Sequence, residues 1–217
     1  MQRLTLLAPA LAIVLSGCGG GGGGNGAVVT MDQPDMAQAP LPPDMAYPAG
    51  PYGNKEGDTV YPFVAKGYPL TVDNTDSASF KGVLTDIPIA SIHDNPKCKC
   101  LMISISAEWC GPCNMEQPYV VDGVKADPSL CAYEVLIQGQ NEASTKLAVQ
   151  SDLDDWTQLY SHDFPVVLPS TGVLLRLPKA NALPTNVFVD PATMQIIKIE
   201  QGFNSMASFT AKDLCGL

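Results

Sequence analysis

The stretch Leu101-Met102-Ile103-Ser104-Ile105-Ser106-Ala107-Glu108-Trp109-Cys110-Gly111-Pro112-Cys113-Asn114-Met115-Glu116-Gln117-Pro118 decides the fold. Leu101–Ser106 is a short apolar-rich run, the pattern of a buried strand. From Cys113 to about Lys125 the chain reads as helix, with Pro118 expected to kink it. A Cys-x-x-Cys pair therefore falls between a buried strand and a helix start. At a helix N-terminus, unpaired backbone N–H groups and the helix dipole stabilise a thiolate. Cys110 is thus the candidate nucleophile toward a disulfide, and Cys113, one turn in, the candidate resolving thiol. Pro112 fits here because the first helical turn has no N–H bond to lose. Two cysteines are half of a structural zinc site, which needs four ligands. As a mere staple, so small a loop constrains little. His93 and His162 stand alone in the sequence and read as surface or capping histidines rather than ligands.

Outward from this stretch, Thr59–Ala65 and Tyr68–Val72 read as short strands broken by Pro and Gly. Tyr133–Gln138 is a further strand, and Ser151–Asp154 caps a helix running to about Tyr160. Thr185–Val189 and Gln195–Glu200 are strands joined by the turn Asp190-Pro191-Ala192-Thr193, and Ser205 opens a last helix. Residues 58–217 are expected to form one α/β domain, a central mixed sheet flanked by helices, with an N-terminal β extension.

Residues 1–17 read as a signal peptide. Arg3 is the charged start, and the apolar run Leu4–Leu15 is too short to span a bilayer. Its end, Leu15-Ser16-Gly17-Cys18, resembles a bacterial lipobox. That resemblance implies cleavage before Cys18 and lipidation of Cys18, with more than one acyl chain holding the protein to a bilayer. Gly19, rather than Asp, at the next position favours the outer membrane by resemblance to Gram-negative lipoproteins. Residues 18–57, with six glycines from Gly19 to Gly24, are rich in Gly, Pro, Ala and Asp. They bury too little apolar surface to offset ordering entropy and read as a tether. As a coil of roughly 40 residues, the tether reaches about 35 Å. Met31, Met36 and Met45 have no His or Cys among them and read as linker residues. The net charge of −10 argues against nucleic-acid partners and against a polybasic membrane contact. Seven cysteines suit an oxidising compartment, and the odd one is assigned to lipidation.

Ala107–Cys113 matches the active-site segment of thioredoxins. Cys113-Asn114-Met115-Glu116-Gln117-Pro118 fits the Cys-x-x-Glu-x-Pro continuation of the TlpA/ResA branch, which contains membrane-bound or lipid-anchored extracytoplasmic thiol–disulfide oxidoreductases. Leu183–Asp190 resembles that family's Pro-Thr strand, and Gly202 its later glycine. The resemblance covers about residues 58–217 and implies a thioredoxin fold. It implies a cis bond before Pro184, which packs against the cysteine pair. Leu183 is expected to offer its backbone to a substrate strand, with Trp109, Gly111 and Pro112 around the nucleophile. Thioredoxins carry a buried Asp where this chain has Ser104. Glu116, three residues after Cys113, is the expected substitute for moving the Cys113 proton; its plainer role is to complement the helix N-terminus.

In a thioredoxin fold, Cys98, Cys100, Cys131 and Cys215 fall at the pole opposite Cys110, so two structural disulfides are feasible. Cys98 and Cys100 are too close to pair with each other. Each is expected to bond Cys131 or Cys215, with Cys100–Cys131 and Cys98–Cys215 preferred. The expected protein is a monomeric, lipid-anchored, periplasm-facing protein disulfide reductase with no cofactor and no resident metal. Its expected partners are extracytoplasmic proteins with thiols or disulfides, a membrane electron donor and, through Cys18, the bilayer. A copper chaperone using cysteine thiolates is the competing class.

Overall fold

The computed structural model describes residues 47–71, 82–93, 95–141, 146–203 and 209–216. Its elements are β1 (Tyr52–Gly53), β2 (Thr59–Val60), β3 (Val64–Tyr68), β4 (Thr85–Pro88), α1 (Ala90–His93), β5 (Cys100–Ala107), α2 (Gly111–Ala126), β6 (Leu130–Gln138), α3 (Gln150–Tyr160), β7 (Val166–Val167), α4 (Thr171–Leu174), β8 (Thr185–Asp190), β9 (Gln195–Gln201) and α5 (Ala211–Cys215). The strands form one sheet in the order β1-β2-β9-β8-β5-β6-β7-β3-β4. Strand β5 lies at its centre, parallel to β6 and antiparallel to β8.

All eight residues of β5 are buried, so both faces of the central strand are covered. Alternation then sorts its side chains. Cys100 and Met102 join the core layer that includes Val120 and Val121 of α2 and Leu214 of α5. Leu101, Ile103 and Ile105 join the opposite layer with Phe63, Ile87 and Tyr133. This is the mixed sheet with flanking helices of the thioredoxin fold. The sequence reading lacked β1, β4, β7 and the short helices α1 and α4. Strand β7 is only Val166–Val167, too brief to show a period of two.

The β extension covers both edges of that sheet. β3 pairs antiparallel with β4 and β7 on one side, while β2 pairs antiparallel with β9 on the other. The described residues begin at Tyr47. Tyr47 donates its hydroxyl to the Val60 carbonyl at 2.9 Å, and its ring meets Tyr52 and His93. Aromatic area thus offsets the ordering entropy of a short Pro- and Gly-containing segment. The expected signal peptide, Cys18, the expected tether up to residue 46, Val72 and Ser205 lie outside the described residues. The final helix begins at Ala211, capped by the Thr210 side chain, which accepts from the Asp213 N–H.

The preferred disulfide pairing is corrected. Cys98 bonds Cys131, and Cys100 bonds Cys215, with Cα separations of 5.7 and 5.8 Å. The pleat explains why. Cys131 sits opposite Leu101 in the β5–β6 register, so it projects to the face away from Cys100. Cys100 faces the layer of α5, where Cys215 ends the helix. Two cysteines on opposite faces of a sheet cannot bond.

Candidate redox site

A register shift between Ser106 and Ala107 marks the end of the β5–β6 ladder, where the chain leaves the sheet. The Glu108 N–H donates to the Gln138 carbonyl at 3.0 Å, and Trp109 Nε1 donates to the Gln138 side chain at 3.0 Å. These bonds aim the chain into α2 with Cys110 as its N-cap. The Cys113 N–H donates to Cys110 Sγ at 3.1 Å, so the sulfur itself receives an otherwise unpaired N–H of the first turn. Cys110 and Cys113 form a disulfide with a Cα separation of 5.2 Å. Cys113 is fully buried and Cys110 is 2% exposed, while Gly111 and Pro112 face outward. Trp109 is half-buried against the core.

Helix α2 runs on through Pro118. Pro118 has no N–H for the Asn114 carbonyl, four residues earlier. The Tyr160 hydroxyl reaches this position from α3, 3.4 Å from that carbonyl and 2.5 Å from Asn114 Oδ1. Asn114 Nδ2 in turn donates to the carbonyls of Glu108 and Cys110 at 2.9 and 2.8 Å. The proline thus sits in a knot that holds the loop before the cysteine pair.

The Leu183–Pro184 bond is cis. Pro184 precedes Thr185, which pairs with Ile105 near the end of β5, so Pro184 lies at the same pole as Cys110. Its carbonyl accepts the Gly202 N–H at 2.7 Å. Gly202 has φ +82°, a left-handed backbone that favours glycine. Leu183 is half-buried and packs against both core layers.

Glu116 is 1% exposed and accepts from Asn186 Nδ2 at 2.7 Å. Burial pushes its carboxyl up to about 7, and the charges of Glu134 and Glu200 push the same way against the Asn186 hydrogen bond. Ser104 is also buried, and its hydroxyl lies 3.3 Å from that of Ser106.

Sequence reasoning missed Glu134 and misplaced His162. Neither is on the surface, since both are fully buried. Glu134 accepts from Gln117 Nε2 and Trp156 Nε1, each at 2.9 Å, and its Oε2 lies 3.3 Å from His162 Nε2. His162 Nε2 also lies 3.0 Å from Gln117 Oε1. That nitrogen faces two oxygens, so it carries a proton. The available signal was a lone acid inside the apolar strand Tyr133-Glu134-Val135-Leu136-Ile137, level with Ser104 of β5.

No family profile matches the chain. Over 147 residues it is 28% identical to the thiol–disulfide oxidoreductase ResA of Bacillus subtilis, covering 67% of this chain and 76% of that protein. It is 31% identical over 104 residues to ResA of Oceanobacillus iheyensis, covering 48% of this chain and 50% of that one. Among solved structures, a hypothetical protein from Sinorhizobium meliloti superposes with a TM-score of 0.50 at 14% identity, over 76% of this chain and 79% of the other. A Cys-x-x-Cys disulfide at the head of α2, with a cis-proline on the same pole of a thioredoxin sheet, accompanies this similarity: the chain is a thioredoxin-like thiol–disulfide oxidoreductase that resembles ResA.

Proposed function

We propose that the chain is a lipid-anchored, extracytoplasmic reductase of protein disulfides. The observation that carries the chemistry is the Cys110–Cys113 disulfide at the N-terminus of α2, with the buried Glu116 one turn further along. In the reduced protein, the Cys110 thiolate attacks one sulfur of a partner disulfide, forms the mixed disulfide and expels the partner's other sulfur as a thiolate. Glu116 takes the Cys113 proton. The Cys113 thiolate then attacks Cys110 Sγ, closes the Cys110–Cys113 disulfide and releases the partner's second thiolate. Two electrons pass to the partner, and a membrane dithiol donor restores the protein by the reverse exchange. Trp109, Gly111 and Pro112 flank the attacked sulfur, while Leu183 and Pro184 offer backbone to the partner's strand.

The Gly-Pro dipeptide between the cysteines resembles reducing family members and supports the direction. The Leu15–Cys18 lipobox supports the anchor, and with Gly19 the outer membrane. A Cys113→Ser variant stops the reaction at the mixed disulfide. It is expected to accumulate partner proteins on Cys110 that dithiothreitol releases; no such adducts from a native envelope defeats the proposal. Cys18→Ser is expected to shift the protein from the membrane to the soluble fraction.

A further inference from the structure

Beneath α2, one cross-sheet row is polar. Glu134 of β6 pairs in register with Ser104 of β5, Ser104 with Asn186 of β8, and Asn186 with Glu200 of β9. Registered neighbours share a face, here the one under the redox helix. Glu116 descends from α2 onto Asn186, and Gln117 onto Glu134. Three carboxylates therefore lie in one layer, with Glu116 between the other two.

Glu134 is held from three sides. Gln117 and Trp156 donate N–H groups to Oε1, and His162 Nε2 faces Oε2. Glu200 of β9 is paired with Lys198 Nζ at 2.5 Å, with its side chain 17% exposed. The groups bearing on Glu116 are Asn186 from β8, Glu134 from β6 with His162 and Tyr160 behind it, and Glu200 with Lys198 from β9.

We propose that Glu134 and Glu200 are positioning residues of the redox site, two acidic side chains at the ends of the row that act electrostatically on the Glu116 carboxyl between them. Glu134 acts through a buried layer, where charge is poorly screened. Glu200 acts from the partly exposed end of the row, and Lys198 partly cancels it. Asn186 holds the Glu116 carboxyl in place between them. This rests on the reading that Glu116 exchanges its proton with Cys113.

The test follows the Glu116 carboxyl by carbon NMR in the full chain labelled at glutamate, kept oxidised so that no thiol titrates alongside. Glu134→Gln is expected to lower the Glu116 midpoint by about half a pH unit or more, and Glu200→Gln by less. Glu134→Asp retains the charge and is expected to stay nearer wild type than Glu134→Gln. Glu200 is partly exposed, so its variant gives a reading even if Glu134→Gln does not fold. Midpoints unmoved in the variants that fold overturn the proposal. The pH profile of Cys113 alkylation in the reduced protein is a separate reading. If the Glu116 midpoint moves and that profile does not, the row acts as proposed and the Glu116–Cys113 proton transfer is what fails.

Discussion

At Glu116 the burial that ties α2 to the sheet also raises the group's proton affinity. Its carboxyl is raised from 4.5 to about 7 in the fold. Between those values the folded protein binds more protons than the unfolded chain, so stability falls as pH rises through the window. Glu116→Gln keeps an acceptor for Asn186 and removes the titration. It is expected to gain stability over wild type by about 1–3 kcal/mol between pH 5 and pH 8, read by denaturant unfolding at both values. A gap that does not grow with pH excludes the neutral buried carboxyl. The cysteine motif and Glu116 were legible at this scale because they are local in sequence. Glu134 and His162 were not, because 28 positions separate them and only the β6 register with the turn after α3 brings them together.

Among the elements, α2 carries both the chemistry and an internal proline. Tyr160 of α3 compensates for the proline, so Tyr160→Phe is expected to cost about 0.5–1.5 kcal/mol in denaturant unfolding. Loss of the Asn114 side chain also removes its bonds to the carbonyls of Glu108 and Cys110, and Asn114→Ala is expected to cost more. A Tyr160→Phe protein as stable as wild type contradicts the knot. The disulfides of β5 give a second test at this scale. Non-reducing peptide mapping is expected to recover Cys98 with Cys131 and Cys100 with Cys215. The sequence placed all four cysteines at one pole through a family resemblance. It could not settle their pairing, because facing is a property of strand register, and one residue of slip exchanges the faces.

For the whole molecule, the extension seals both sheet edges. A chain beginning at Asp58 lacks Tyr47 and β1 and uncovers β2, so it is expected to melt below one beginning at Tyr47. Equal melting temperatures exclude a stabilising role for residues 47–57. The order of strands and helices from β5 onward was readable from hydrophobic period and turn residues. The wrapping of the extension was not, since strands of two residues acquire their identity only from their partners.

That wrapping fixes an orientation. Tyr47 touches His93, His93 Nδ1 lies 2.7 Å from the Pro191 carbonyl, and Pro191 follows the last residue of β8. Pro184 and Cys110 sit at the other end of the same strands, about 25 Å away for an eight-residue β5. The chain before Tyr47 therefore joins the domain at its back. With the upstream attachment proposed above, the molecule pulled taut would behave like a weathervane, its reactive end turned away from the point of attachment and toward whatever approaches from the open side.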